Sequence, residues 1–248
     1  MRRDSLSGIL NGIDVDLWNP ATDRWIERRY DAQTLEDKAA NKAALQSRAG
    51  LAHEPGTPLI GIVSRLTGQK GVDLVLETAR RILALPAQLV VLGSGEPALE
   101  RGFVQLARAH RGQASATIAF DEPFAHLIEA GADIFLMPSR FEPCGMNQMY
   151  SQRYGTIPVV RATGGLADSV VDCTPQSLAD RTATGFAFLE ANAGALLAAL
   201  ERALAAYGDP PLWRRLQRQA MARDFGWDRS ARHYGALYAQ IMRPVSSG

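Results

Sequence analysis

Short apolar runs recur through the middle of the chain, and each is followed by a segment with apolar residues at helical spacing. The runs contain β-branched residues, are too short for helices and lie between turn-forming residues, so we interpret them as buried strands. The predicted strands are 58–64, 88–92, 115–120, 133–139 and 157–160, and the predicted helices are 72–83, 97–110, 121–131 and 145–155. Strands that alternate with helices at this pitch predict an α/β fold with a parallel sheet covered on both faces.

The flanking segments have a different pattern. Before the alternating region, Asn11-Gly12 and Asn19-Pro20 indicate turns, and residues 34–51 predict a helix with Thr34 and Asp37 at capping positions. After residue 190, three amphipathic helices are predicted over 193–208, 211–226 and 228–242. We therefore divide the chain into a lead-in with one helix (1–56), an α/β core (57–190) and a helical tail (191–248).

Composition and charge argue against several classes of protein. Lys and Arg number 27 and Asp and Glu 26 among the 248 residues, so a net charge of +1 favours neither nucleic acid nor a membrane surface as partner. Cys144 and Cys173 are too few for a disulfide framework and suggest a reducing compartment. No apolar run approaches the roughly 18 to 20 residues of a membrane span, and the first ten residues do not form a signal peptide. We therefore expect a cytoplasmic protein.

The candidate chemistry lies in loops that follow predicted strands, because ligands of open parallel sheets bind outside the carboxyl ends of the strands. The first such loop, RLTGQKG, places Arg65 and Lys70 near the start of the next helix. Two cations and free backbone amides suit a pyrophosphate, although the spacing lacks the Gly-Lys-Ser/Thr of a Walker A motif. The alternative is a solvated loop with ordinary surface cations.

The loop after the second strand, GSGEPA (93–98), fits the GxGxxA form of a dinucleotide fingerprint. That fingerprint normally belongs to the first strand of a sheet, and no strand-end acidic residue follows about 20 positions later, since Asp121 lies further on. A tight strand-to-helix turn, or a glycine-rich floor beside another nucleotide, is an alternative to an NAD site.

Glu142, in the segment RFEPCG, is the most specific candidate for a ligand-binding residue. It follows an apolar strand, and Pro143 and Gly145 allow its carboxylate to face the crevice while Gly145 opens the next helix. Such a carboxylate can accept hydrogen bonds from sugar hydroxyls, whereas an exposed loop glutamate is the simpler alternative. Cys144 has no histidine signature to activate it, so we interpret it as a wall residue. The 4 histidines have no metal-ligand spacing.

Taken together, these segments resemble the C-terminal half of bacterial glycogen synthase and plant starch synthase. The resemblance is carried, in order, by NGID near the start, SRLTGQKG, the run from PSRFEPCG to TGG, and MARDFGWDRSARHYGALY. It covers almost the whole chain and implies one of the two facing Rossmann-like domains of a GT-B glycosyltransferase. It also implies retaining transfer of glucose from ADP-glucose to the non-reducing 4-hydroxyl of an α-1,4-glucan, with no metal or other cofactor.

The same resemblance implies roles for individual positions. Arg65 and Lys70 match the cations that hold the diphosphate and stabilise the departing nucleotide, and Glu142 matches a glutamate that contacts the donor glucose. The other matched donor-binding positions are Phe120 beside the adenine, Cys144, Gly145, Met146 and Asn147 around the sugar and phosphates, and Thr163, Gly164 and Gly165 near the phosphates. No residue is assigned as a covalent nucleophile.

Two departures from the family pattern bear on function. Related transferases hold the ribose with a second glutamate eight positions after the first, but Tyr150 occupies that position here, so the ribose has no assigned residue. The Lys-x-Gly-Gly loop of the family's acceptor domain does not occur before NGID. The sequence thus predicts a donor-binding half without its N-terminal acceptor domain, either as a part of a longer enzyme, as a truncated reading frame or as a subunit that needs a separate partner. Residues 227–242 resemble the helix that crosses back to the missing domain, and we expect them to expose apolar surface.

Three other functions stay open at this point. GSGEPA leaves a nicotinamide-dependent enzyme possible, and one sequence cannot distinguish an enzyme from a non-catalytic nucleotide-binding domain. Among transferases, a UDP-glucose-dependent enzyme is the nearest alternative, because the residues around Phe120 do not reveal the preferred base.

Overall fold

The fold is built on a parallel sheet at the centre of the computed structural model, which describes residues 6–242. Its strands are β1 (Leu59–Val63), β2 (Gln88–Leu92), β3 (Ala114–Thr117), β4 (Ile134–Met137), β5 (Ile157–Arg161) and β6 (Phe186–Phe188). They lie in the order β3-β2-β1-β4-β5-β6, and every neighbouring pair is parallel. The chain runs outward from β1 to β3 and then returns to place β4 beside β1. The predicted Rossmann-like α/β fold is therefore confirmed, with its topological switch point between β1 and β4.

Helices cover both faces of this sheet. They are α1 (Lys38–Ala49), α2 (Val72–Ala84), α3 (Pro97–Ala109), α4 (Glu122–Gly131), α5 (Asn147–Arg153), α6 (Gly165–Ser169), α7 (Pro175–Ala179), α8 (Ala193–Tyr207), α9 (Pro210–Met221) and α10 (Trp227–Ile241). Short 3₁₀ turns lie at Leu35–Asp37 and Gly68–Lys70. Helices α2, α3 and α8 share one hydrophobic core with the sheet, and α1 and α4 share the other.

The two cores follow from the alternation of side chains along each strand. Ile60 and Ile62 of β1 enter the core under α2, α3 and α8, whereas Leu59 enters the core under α1 and α4. Because successive side chains point to opposite faces, a strand that is covered on both faces is apolar at every position. This explains why the strands appeared as continuous apolar runs and not as alternating ones.

Some elements differ from the prediction. β3 ends at Thr117 and not at residue 120, because Thr117 pairs with Leu92, the last residue of β2, so no partner strand extends further. The prediction missed β6 and the helices α6 and α7, since segments of three and five residues carry no readable periodicity. Helix α5 begins at Asn147, two residues after the predicted opening glycine.

The predicted caps of the first helix are wrong. Thr34 and Asp37 occupy N-cap positions, but neither side chain accepts a hydrogen bond from a helix amide. The 3₁₀ turn before α1 already binds the Asp37 amide to the carbonyl oxygen of Thr34. The Thr34 hydroxyl instead accepts from the Asp31 amide and donates to the Asp31 carboxylate, so it stabilises the preceding turn.

The predicted tail helices pack in two different ways. Leu200 of α8 and Leu216 of α9 are buried in the same core as β5 and β6. In α10 only Ser230 is buried, and its hydroxyl donates to the Leu10 carbonyl oxygen at 2.8 Å. The expected apolar exposure is present, since Tyr238 is 61% exposed. Within the described residues, no helix is long and apolar enough to cross a membrane.

Candidate active site

The switch point between β1 and β4 opens into a cleft of about 420 Å³ at the carboxyl edge of the sheet. The loop after β1 contributes Arg65 and Lys70 to its wall, and the loop after β4 contributes Glu142. Four further predicted site residues line the same cleft, namely Cys144, Gly145, Met146 and Asn147. The fold therefore brings together seven of the predicted positions from two loops that are far apart in sequence.

Lys70 and Glu142 form an ion pair in the lining of this cleft. The Lys70 ammonium lies 2.5 Å from the Glu142 carboxylate, and their side chains are only 18% and 8% exposed. Ser139 donates a second hydrogen bond to the same carboxylate oxygen at 3.3 Å. A buried carboxylate needs such partners, because leaving it unpaired costs several kcal/mol. Each charge therefore satisfies the other.

Arg65 lies at the rim, with an exposed side chain. Its guanidinium is 3.5 Å from the Gln69 amide oxygen, a distance at which a hydrogen bond is weak. It lines both the cleft described above and a second cleft beside it. Its guanidinium is therefore available to an anion that spans the two clefts.

The segment from Cys144 to Asn147 forms a rigid wall of the first cleft. Gly145 has a φ of +68°, a left-handed conformation in which a side chain would be strained. The Gln148 amide donates to the carbonyl oxygens of Cys144 and Gly145, and the Asn147 amide donates to the Val63 carbonyl oxygen at 2.7 Å. The Asn147 bond fixes the loop to β1, and the Gln148 bonds fix it to the first turn of α5. Among the described residues, no histidine lines this cleft. The interpretation of Cys144 as a wall residue stays a prediction.

The glycine pair after β5 supports the Glu142 loop from behind. A Cβ atom on Gly164 would lie 2.1 Å from the Glu142 carbonyl oxygen, and one on Gly165 would lie 2.0 Å from the Cys144 carbonyl oxygen. Thr163, Gly164 and Gly165 do not line either cleft. Their role beside the phosphates stays a prediction, whereas their close backbone packing explains why side chains are excluded there.

A second cleft of about 320 Å³ adjoins the first. Phe120 lies at its edge with 92% of its surface exposed, and Trp18 and Tyr150 provide further aromatic walls. Glu129 also lines this cleft, although it is only 1% exposed, and burial raises the pKa of its carboxyl group well above the usual value. Sequence reasoning missed Trp18 and Glu129, because neither belongs to a motif or to a strand end.

Trp18 is held in place by a stack of rings. Its indole lies between His126 and Tyr150, with ring centroids 3.7 and 3.9 Å away. Asp23 accepts hydrogen bonds from the His126 ring at 2.7 Å and from the Tyr154 hydroxyl at 2.6 Å. Burial raises the pKa of Asp23, but these hydrogen bonds more than offset it and the pKa is lowered. The only signal in the sequence was an aromatic residue in a turn-rich segment without periodicity.

The glycines of GSGEPA have a packing role in this structure. A Cβ atom on Gly93 would lie 1.8 Å from the Ser64 carbonyl oxygen, and one on Gly95 would lie 2.3 Å from the Leu66 carbonyl oxygen. The loop after β2 thus lies directly against the loop after β1, which requires glycine at both positions. This geometry favours the tight-turn interpretation over a dinucleotide fingerprint.

Comparison with known proteins places the chain in a family. Residues 45–222 match the family model described as glycosyl transferases group 1. The chain belongs to the group 1 glycosyltransferases. Within residues 6–242, no group of three or more His, Cys, Asp and Glu side chains is arranged to hold a metal ion.

Several relatives of this group 1 glycosyltransferase are glycogen synthases. It is 55% identical over 242 residues to that of Nitrosospira multiformis, an alignment covering 98% of the chain and 49% of the relative. It is also 55% identical to that of Aromatoleum aromaticum, covering 99% of the chain and 50% of the relative. The chain thus spans about half the length of the curated relatives that it matches. The resemblance to glycogen synthases predicted from sequence is confirmed.

Solved structures agree with this placement of the group 1 glycosyltransferase. The catalytic domain of starch synthase IV from Arabidopsis thaliana, bound to ADP and acarbose, matches with a TM-score of 0.88 and 41% identity. That match covers 94% of this chain and 48% of the neighbour. Sucrose-phosphate synthase from Thermosynechococcus elongatus matches with a TM-score of 0.63 at 21% identity, which shows a shared fold alone.

Proposed function

We propose that this chain is the donor-binding part of a glucosyltransferase of the glycogen synthase type. The reaction is retaining transfer of glucose from ADP-glucose to the 4-hydroxyl at the non-reducing end of an α-1,4-glucan. The observation that carries the proposal is the half-buried Lys70–Glu142 pair, which places one cation and one anion in a single cleft at the switch point. An acceptor-binding domain is part of the proposal, because the relatives are about twice as long as the chain.

A nucleotide sugar offers a partner to each member of this pair. Its diphosphate would bind Lys70 together with Arg65, and its glucose hydroxyls would donate hydrogen bonds to Glu142. The ion pair would therefore be replaced by two sets of contacts, so neither charge would be left unpaired. As the sugar–phosphate bond breaks, negative charge grows on the diphosphate, and the two cations would stabilise it. Glu142 would hold the sugar in position while positive character develops at C1.

The second cleft suits the nucleoside of the donor. Its aromatic walls, Trp18, Phe120 and Tyr150, offer surfaces on which a base can stack. Arg65 borders both clefts, so a diphosphate beside it would join a base in one cleft to a sugar in the other. The starch synthase neighbour is bound to ADP, which supports adenine over uracil as the preferred base.

Calorimetric titration of the purified chain with ADP-glucose, UDP-glucose and NAD tests the proposed donor. We expect ADP-glucose to bind with about 4 to 6 kcal/mol, a Kd between about 1 mM and about 40 μM, because the clefts are open to solvent. Lys70→Ala should abolish this binding, whereas Arg101→Ala, at an exposed position of α3, should not change it. Stronger binding of UDP-glucose than of ADP-glucose would make UDP-glucose the proposed donor. Tight binding of NAD alone would overturn the proposal.

Glucosyl transfer itself tests the roles of the two cations. Arg65→Ala or Lys70→Ala should lower kcat by about 100-fold or more, by analogy with the loss of one donor from an oxyanion hole. The assay measures incorporation of labelled glucose into an α-1,4-glucan, in a preparation that contains both the donor-binding and the acceptor-binding parts. Unchanged kcat in both variants would remove Arg65 and Lys70 from the mechanism.

A further inference from the structure

A second charged pair joins the two loops that carry Lys70 and Glu142. The Arg140 guanidinium donates to both carboxylate oxygens of Asp73, at 2.6 and 2.7 Å. One of the same guanidinium nitrogens also donates to the Gly68 carbonyl oxygen at 2.7 Å. Asp73 follows Lys70 by three residues and Arg140 precedes Glu142 by two, so this pair lies directly beside the pair in the cleft.

Backbone and amide contacts extend the connection between these loops. The Arg140 amide donates to the Gln69 carbonyl oxygen at 2.9 Å, and the Gln69 side-chain amide donates to the Phe141 carbonyl oxygen at 3.2 Å. From the other side, the Arg161 guanidinium donates to the carbonyl oxygens of Ser139 and Arg140. The residues that flank Lys70 and those that precede Glu142 therefore form one hydrogen-bonded unit.

The Arg140–Asp73 pair differs from an ordinary surface ion pair. Both side chains are 39% exposed, and an isolated pair of this exposure usually contributes little to stability. Here the contact is bidentate, and the guanidinium is fixed by a third acceptor, Gly68, which restricts its geometry. Asp73 also lies in the first turn of α2, where a carboxylate is favoured. The hydrogen bonds from Arg140 lower the pKa of Asp73, so this residue is ionised at neutral pH.

We propose that Arg140 and Asp73 are positioning residues that fix the separation of Lys70 and Glu142 and thereby set the affinity for the sugar part of the donor. The inference rests on the proposed function, in which Lys70 binds the diphosphate and Glu142 binds the glucose. A donor that contacts both residues binds well only if their spacing matches its own length. ADP reaches only the first of them, so its binding depends less on that spacing.

Asp73→Asn tests this role with a change of similar size. The new amide group places N–H donors opposite the Arg140 guanidinium, so the bidentate contact is lost. We expect the Kd for ADP-glucose to rise about tenfold and the Kd for ADP to rise less than about threefold. Asp73→Glu, which keeps the carboxylate, should restore ADP-glucose binding to within about threefold of the wild type. If the role of Asp73 were purely structural, the substitution would raise the Kd values for ADP-glucose and ADP by the same factor.

Asp172→Asn is the matched control. Asp172 pairs with Arg202 at 2.7 Å, with side chains 31% and 42% exposed, and it lines neither cleft. Its substitution should leave both Kd values unchanged. Hydrogen exchange of the Arg140 amide, measured by NMR, should accelerate in Asp73→Asn and not in Asp172→Asn, because only the first change loosens the contact with Gln69.

Two failures are distinguishable. If the wild-type chain binds neither ADP-glucose nor UDP-glucose, the proposed function is wrong and the positioning role of Arg140 and Asp73 is wrong with it. Suppose instead that the wild type binds ADP-glucose. If Asp73→Asn binds it equally well, or if its Kd values for ADP and ADP-glucose rise by the same factor, only the positioning role is overturned.

Discussion

Lys38 and Lys42 are two buried lysines, one turn apart on α1. Lys38 donates hydrogen bonds to neutral oxygen atoms, whereas Lys42 pairs with a carboxylate. The Lys38 ammonium donates to the Ala130 carbonyl oxygen and the Thr156 hydroxyl, at 2.6 and 2.7 Å, and burial lowers its pKa to about 7. Burial also acts on Lys42, but the Asp133 carboxylate at 2.7 Å more than offsets it and the pKa is raised. The two residues should therefore respond differently to pH.

We expect the wild type to gain stability relative to Lys38→Met as the pH rises from 7 to 9.5. In the unfolded chain Lys38 keeps its proton up to a pKa of about 10.4. The folded chain releases this proton near pH 7, so in this window the unfolded state binds more protons and rising pH favours folding. The difference in unfolding free energy should grow by up to about 1.4 kcal/mol per pH unit, measured by urea denaturation.

Lys42→Met serves as the control for this measurement. Lys42 stays protonated in both states over the same window, so its substitution should give a difference that is constant between pH 7 and 9.5. Parallel stability curves for the wild type and Lys38→Met would show that Lys38 is charged in the folded protein and would contradict the prediction.

At the scale of elements, a glycine controls how closely the loops after β1 and β4 approach. Gly71 ends the 3₁₀ turn that carries Lys70 and has a φ of +68°. A Cβ atom there would lie 2.0 Å from the Pro138 carbonyl oxygen. Gly50, at the end of α1, has a similar φ of +65° but open space around it. Alanine substitution at Gly50 therefore introduces backbone strain alone, whereas substitution at Gly71 introduces the same strain together with a close contact.

Gly71→Ala should destabilise the protein much more than Gly50→Ala. The left-handed conformation costs each alanine about 1 kcal/mol, and only Gly71→Ala adds a clash with a backbone oxygen. We expect a loss of about 3 kcal/mol or more for Gly71→Ala in urea denaturation. It should also abolish donor binding, because the clash separates Lys70 from Glu142. Equal losses of unfolding free energy in the two variants would contradict this prediction, because they would show that the two loops can move apart without destabilising the protein.

At the scale of the whole molecule, the lead-in is part of the folded unit. Ile26, Tyr30 and Leu35 form a hydrophobic cluster with Ala130 and Tyr154 of the core. The Tyr30 hydroxyl also donates to the Tyr154 carbonyl oxygen at 2.7 Å. The division into lead-in, core and tail stays a prediction, but these contacts predict that the lead-in and the sheet unfold together.

Tryptophan fluorescence can test this coupling. The chain has 4 tryptophans, and the double variant Trp213→Phe, Trp227→Phe keeps only Trp18 and Trp25 of the lead-in. Its fluorescence transition in urea should coincide with the loss of far-UV circular dichroism, which reports mainly the helices around the sheet. A fluorescence transition at lower urea would show that the lead-in unfolds independently.

The sequence by itself determined the α/β class, five of the strands and most of the helices. These features depend on local periodicity and on turn residues, which a single sequence displays. It also identified the loops that carry Arg65, Lys70 and Glu142, because the carboxyl ends of parallel strands share one edge. The motifs in these loops were unusual enough to indicate the family, whose model matches residues 45–222.

Only the tertiary structure decided which of these residues meet. Lys70 and Glu142 are 72 positions apart, and their contact depends on the return of the chain that places β4 beside β1. No local periodicity specifies that strand order. The Trp18 stack and the Arg140–Asp73 contact likewise join segments that are distant in sequence. Such contacts are selected by packing of the whole chain, so they become visible only once it is folded.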